Sequence, residues 1–172
     1  MNKLRARLKT GKACLNAWLA IPSGFSAEVM AQCGFDSVTV DMQHGVQDYQ
    51  SMVQCFQAMD KCPITPLVRV PWNEPGISGI YVGPSDLGMS LGLKPLLDRE
   101  EPQIFSIYDM LIKVTGKRGL FAGVHNLTGA YAARMIEMGF RFVTIGNDSG
   151  LMARAARNEI AIARKNAGAI AS

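Results

Sequence analysis

Cys33-Gly-Phe-Asp-Ser-Val-Thr-Val40 and Met138-Gly-Phe-Arg-Phe-Val-Thr-Ile145 repeat one unit: a helix end, a glycine, an aromatic anchor and a run rich in β-branched residues. Glycine ends helices because it enters the left-handed region without steric cost. A short, near-continuous β-branched run suits a strand covered on both faces, as parallel strands are. A chain built from such helix-to-strand units points to an α/β fold, either a (β/α) barrel or a doubly wound sheet.

The same alternation extends in both directions. Leu15–Ile21 reads as a strand closed by Pro22-Ser23-Gly24, and Ser26 is placed to cap a helix running through Cys33 to Gly34. Tyr49, Met52, Val53, Phe56 and Met59 fall on one helical stripe, which is read as core packing. Leu67–Val70, Ile80–Val82, Leu120–Val124 and Phe142–Ile145 read as strands. Pro102 suits the first position of a helix to Gly116, Thr128–Met138 forms another, and Ser149 is placed to cap a last one containing Ile160 and Ile162.

Polar residues decide between the two sheet types. They follow nearly every strand: Ser23, Asp41 and His44, Ser85 and Asp86, His125 and Asn126, Asn147 and Asp148, with Arg69 inside the end of its own strand. In a barrel these ends ring one mouth, where active sites lie. A dinucleotide-binding sheet would carry GxGxxG after its first strand, and the sequence has none there. The expected fold is therefore of the TIM (β/α)8-barrel type.

The strand count falls short of that barrel. Between Val70 and Ile80 lies Pro71-Trp-Asn-Glu-Pro-Gly-Ile-Ser-Gly79, too short and too rich in proline and glycine for a crossover, which takes about a dozen residues or more. Either the flanking strands are antiparallel neighbours, or they are not neighbours and something between them is missing. The second option fits an incomplete barrel of about six strands where eight are needed, in a chain of 172 residues where such barrels run to about 250. The expectation is one domain, residues 1–172, with two βα units absent near Ile77/Ser78.

Bulk properties exclude several classes. A content of 48% hydrophobic and 19% charged residues fits a globular domain rather than a disordered chain. The net charge of +4 is spread out; its densest stretch, Lys3, Arg5, Arg7, Lys9 and Lys12, reads as a solvated helix face and not as a nucleic-acid site. A mild positive charge favours anionic substrates. Cys14, Cys33, Cys55 and Cys62 form no CxxC pair and are expected to be free buried thiols in a reducing compartment. With no signal peptide and no membrane-length apolar run, a cytoplasmic protein that does not engage a membrane is expected.

Three motifs carry chemistry. Val40-Asp-Met-Gln-His-Gly45 puts an imidazole just past a buried strand, where it serves as a general base or as a structural histidine. Val68-Arg-Val70 places a guanidinium in an apolar strand, which calls for an anionic partner: a substrate oxygen or a carboxylate within the barrel. Gly83-Pro-Ser-Asp-Leu87 is a tight turn whose amides suit an anion and whose Asp86 suits a hard cation; an ordinary turn with a helix cap fits it too.

Taken in order, D-x-Q-H-G, V-R-V-P-W-N-E-P and I-Y-V-G-P-S-D-L resemble the HpcH/HpaI aldolase family, as do the segment with Trp18, the V-H-N stretch at His125 and the F-V-T-I-G-N-D strand. The resemblance implies a metal-dependent pyruvate aldolase that cleaves or forms a 4-hydroxy-2-keto acid, giving pyruvate and an aldehyde. It implies His44 as the base and Arg69 as the holder of the pyruvate carbonyl oxygen and enolate. Asp86 matches one of two carboxylate ligands to a divalent cation (Mg²⁺, Mn²⁺ or Co²⁺), the backbone around Ser85 and Asp86 matches the contact to the pyruvate carboxylate, and Trp18 and Asp41 match positions lining the site. A homo-oligomer is expected. The family's second metal ligand, a Glu, and the Asp that pairs with its base have no counterpart here; both would fall in the missing stretch. The competing reading is a catalytically impaired barrel remnant that associates with copies of itself.

Overall fold

The structure, a computed structural model, describes residues 3–70 and 78–166. Its six strands are β1 (Cys14–Leu19), β2 (Ser37–Asp41), β3 (Thr65–Arg69), β4 (Gly79–Val82), β5 (Phe121–Asn126) and β6 (Phe142–Ile145). They form one sheet in the order β3-β2-β1-β6-β5-β4, with every pair parallel. The helices are α1 (Lys3–Lys9), α2 (Gly24–Gln32), α3 (Tyr49–Met59), α4 (Pro84–Ser90), α5 (Pro102–Lys117), α6 (Gly129–Met138) and α7 (Asp148–Asn166).

The strand order answers the question raised by the short linker. β3 and β4 lie at opposite edges of the sheet and run parallel to the rest, so they are not antiparallel neighbours. The last strand pairs with the first, as when a barrel closes on itself, and the opening falls between β3 and β4. The result is an α/β half-barrel, consistent with an incomplete TIM-like barrel. The junction at Ile77 and the Trp72-Asn-Glu-Pro75 part of the second motif lie outside the described residues.

Strand alternation sorts side chains to two faces. Ala17, Leu19, Val38 and Val40 pack under α2 and α3; Ala122, Val124 and Val143 pack under α5 and α6. The opposite, concave face is polar at mid-height. There Ser37 and Thr39 donate to the Oδ1 atom of Asn16 at 2.8 and 3.0 Å, and the Nδ2 atom of Asn16 donates to the Oγ1 atom of Thr144 at 3.3 Å. At the N-terminal end, Leu4 and Leu8 of α1 close the concave face against Cys14, Leu67, Phe121 and Phe142. The basic residues of α1 that the structure describes, Lys3, Arg5, Arg7 and Lys9, face solvent, as a solvated helix face should.

Both copies of the repeated unit turn through glycine at positive φ, Gly34 at 91° and Gly139 at 126°, followed by Phe35 and Phe140 packed in the two helix-side cores. Some boundaries differ from the sequence reading. The cap of α2 is Ser23, whose hydroxyl accepts from the amide of Ser26, because the helix starts one turn earlier. Asn147, not Ser149, accepts from the amide of Gly150 at the start of α7. Tyr49, at the exposed start of α3, leaves the apolar stripe, and its buried positions are Ser51, Cys55 and Met59. All four cysteines are free, but Cys33 is exposed because it lies just past α2 on the outer surface. No described helix is long and apolar enough to cross a membrane.

Candidate active site

Asp41 is the hub of the C-terminal strand ends. Its carboxylate accepts from the Nε atom of Arg69 at 2.7 Å, from the Nη2 atom of Arg69, from the indole of Trp18 at 3.0 Å, and from the amides of Gln43 and His44 at 3.0 and 3.2 Å. Burial alone would push this carboxyl up. The hydrogen bonds from Arg69, Trp18 and the two amides outweigh it and hold the group below the usual aspartate range. β2 and β3 are paired with Asp41 opposite Arg69, which sets the ion pair in the backbone register.

Arg69 has donors left over. Its Nη2 atom also donates to the Nδ1 atom of His44 at 2.6 Å, and its guanidinium lies 4.9 Å over the ring of Trp18. Its Nη1 atom has no partner among the described residues. Because a guanidinium only donates, Nδ1 of His44 accepts there, and the ring proton of neutral His44 sits on Nε2. Of the two partners the sequence left open for Arg69, the structure supplies the carboxylate within the barrel, Asp41.

One cavity of about 310 Å³ is lined by Trp18, Asp41, His44, Arg69, Ser85 and Asp86, together with Tyr81, Gly83, Leu97, His125 and Asn147. All six residues assigned from the sequence therefore share one mouth. Ser85 and Asp86 reach it from the first turn of α4, where backbone amides lack intrahelical partners. The Ser85 hydroxyl donates to the carbonyl of Leu96 at 3.2 Å, holding the loop that brings in Leu97. Asp86 is exposed, with no hydrogen-bond or ion-pair partner among the described residues.

Tyr81, Leu97, His125 and Asn147 were not assigned roles from the sequence. Tyr81 stacks on Trp18 at 5.7 Å with a 5° interplanar angle, and its hydroxyl lies 2.9 Å from both Nδ1 of His125 and Oγ1 of Thr144. The signal for Tyr81 was present: it stands two residues before Gly83, on the same strand face as the site. Burial, reinforced by the positive charge of Arg69, lowers His125 to about 4.

That shift gives a stability prediction. A histidine held neutral in the fold binds its proton more readily when unfolded, so stability falls as pH drops through the unfolded value near 6.5 towards about 4. Between pH 7 and pH 5, wild type should lose on the order of 1–2 kcal/mol more than His125→Gln in urea titrations. Equal losses in the two proteins would contradict the burial of a neutral imidazole.

The residues were also tested against a divalent cation. Asp41 is committed to Arg69 and Trp18, and His44 to Arg69, which leaves Asp86 as the unpartnered carboxylate among the described residues that line the cavity. No group of three or more His, Cys, Asp or Glu side chains suited to a metal occurs among the described residues. A hard cation wants about six oxygens, so the described residues do not by themselves make its site.

A parallel half-barrel that gathers a carboxylate–guanidinium pair, an imidazole and a free carboxylate at its C-terminal strand ends has the layout of an enzyme. Comparison with known proteins narrows this. No family model matches the chain. It is 24% identical to the hydroxypyruvate/pyruvate aldolase of Rhizorhabdus wittichii, over 95% of this chain and 99% of that protein. It is 22% identical to a 4-hydroxy-2-oxo-heptane-1,7-dioate aldolase of Escherichia coli, over 90% of this chain and 92% of that protein. In fold it resembles an HpcH/HpaI aldolase/citrate lyase family protein from Burkholderia cenocepacia, with a TM-score of 0.87 and 19% identity, covering 95% of this chain and 100% of that one. The resemblance to the HpcH/HpaI aldolases therefore holds across most of the chain, and it favours a lyase over a non-catalytic remnant. The alignment to the first relative runs over 253 positions, far more than the 172 residues present, so dozens of that relative's residues face none in this chain.

Proposed function

We propose that this chain is an aldolase that cleaves a 4-hydroxy-2-keto acid to pyruvate and an aldehyde, or runs the reverse addition. The observation that carries the reading is Arg69, a lining residue of the cavity, locked by Asp41 and with no partner for Nη1 among the described residues. In cleavage the 4-hydroxyl loses its proton, the C3–C4 bond breaks to release the aldehyde, and its electrons pass into the C2 carbonyl as an enolate. Protonation at C3 then gives pyruvate. Arg69 holds the enolate oxygen where its charge develops. His44, which lines the same cavity beside Arg69, handles the hydroxyl proton. Trp18 and Asp41 keep Arg69 in register, and the amides of Ser85 and Asp86 receive the keto-acid carboxylate.

The cofactor we propose is a divalent cation held at Asp86, Mg²⁺, Mn²⁺ or Co²⁺, acting as a Lewis acid. One carboxylate is too few to hold it alone. Two further strand–helix units between β3 and β4 would join the open edges and complete an eight-stranded barrel; we place the second ligand there. Residues 1–172 are taken as one domain of that barrel. We also propose a homo-oligomer, since exposed sheet edges favour pairing.

Pyruvate release with and without EDTA, on protein whose intact mass has been measured, tests this. At 18.7 kDa the expected result is pyruvate binding with little turnover; at a higher mass it is EDTA-sensitive cleavage. Robust EDTA-sensitive cleavage at 18.7 kDa would overturn the placing of the second ligand in further units between β3 and β4. Cleavage that resists EDTA would overturn the metal.

A further inference from the structure

The cavity's lining holds two kinds of residue. Asp41, Arg69 and Asp86 carry charge, while Trp18, Tyr81, Leu97, His125 and Asn147 carry none. Among the uncharged ones, two polar side chains are held by one end, with the other end unpartnered among the described residues. The Nδ1 atom of His125 is engaged by the Tyr81 hydroxyl, so Nε2 is the ring nitrogen without a partner among the described residues. The Oδ1 atom of Asn147 takes the amide of Gly150 at 2.8 Å and the hydroxyl of Ser149 at 3.3 Å, which fixes the amide orientation and leaves Nδ2 without a partner among the described residues.

Both groups are held rigidly. His125 meets Trp18 edge-on at 5.3 Å and Tyr81 at 6.3 Å. Tyr81 lies flat in this cluster because residue 123 on the next strand is glycine; a Cβ there would stand 2.8 Å from the Tyr81 ring. The Thr144 hydroxyl, itself bonded to buried Asn16, anchors the Tyr81 oxygen from below. These residues thus offer preformed hydrogen-bonding groups without charge.

Resting on the aldolase reading, we propose that His125, with Asn147, selects the aldehyde half of the substrate, favouring a neutral, hydroxyl-bearing aldehyde over one that carries a carboxylate. Charge supports this as well. The lining holds two carboxylates and one guanidinium, and the keto-acid head claims that guanidinium. A second substrate carboxylate would find no further cation among the described residues that line the cavity, and two like charges there. A hydroxyl both donates and accepts, so it pairs with Nε2 of His125 in either tautomer and accepts from Asn147.

The test uses two ligands of equal carbon number that lack the 4-hydroxyl and so resist cleavage: 5-hydroxy-2-oxopentanoate and 2-oxoglutarate. Titration calorimetry of the whole chain should show the hydroxyl ligand binding roughly tenfold more tightly or better. In His125→Phe the ratio should fall about threefold or more, and His125→Gln should restore part of it, with circular dichroism showing that both variants fold. If 2-oxoglutarate binds as well or better, and its binding needs Arg69, the inference falls and the aldolase reading stands. A ratio unmoved in His125→Phe would remove the assignment to His125. If neither keto acid binds, the aldolase reading and this inference fall together.

Discussion

Replacing Asp41 with alanine should destabilise the protein by about 2–4 kcal/mol and remove keto-acid binding at the same time. Asp41 is 3% exposed and accepts from two nitrogens of Arg69, the indole of Trp18 and two backbone amides. Breaking a buried pair by removing one partner costs about 3–5 kcal/mol, because the other charge is left without compensation. Arg69 keeps 28% of its side-chain surface in solvent, which lowers the figure. The indole N–H of Trp18 and the 43–44 amides lose their acceptor as well. Asp41→Asn should fall between, since it keeps the shape and loses the charge. Urea denaturation at pH 7 measures the stability and titration with pyruvate the binding. A loss below about 1 kcal/mol in Asp41→Ala would show that the hub carries little of the local structure.

Arg69→Lys should reduce aldol turnover on the order of a hundredfold, although the charge is kept. Arg69 uses a flat fork: Nε and Nη2 grip both oxygens of Asp41, Nη2 reaches His44, and Nη1 remains for substrate. An ammonium on a flexible stem cannot satisfy Asp41, meet His44 and keep a donor aimed into the cavity together. Its contact with the Trp18 face is also weakened. Most of the loss should appear in kcat, because the enolate oxygen gains its charge in the transition state. Unchanged kinetics in Arg69→Lys would remove Arg69 from the chemistry.

Strand-end residues were legible in the sequence because their meaning is local. Asp41, His44, Arg69, Ser85 and Asp86 each follow or end a strand, and parallel strands bring such positions to one mouth whatever lies between them. That β3 and β4 are not parallel neighbours was legible for the same reason, since nine residues are too few for the usual crossover. What pairs with what was not legible. Asn16 meets Thr144 across 128 positions, and nothing near Leu15–Ile21 marks an asparagine inside the barrel. Among the described residues His44 has no carboxylate partner of the kind the resemblance implies; its side chain meets Arg69 instead, a partner visible only in three dimensions. Tyr81 and His125 were read as a strand residue and a strand-end histidine. Their joint role depends on the β4–β5 register, which sets Tyr81 beside Gly123.

The central claim is that this mouth, organised by Arg69, binds a 2-keto acid. Isothermal titration of the protein with pyruvate, beside Arg69→Lys under the same conditions, tests it most directly. The account predicts saturable binding to wild type, weakened about tenfold or more by the substitution. Absence of binding, or equal affinity in the two proteins, would contradict it.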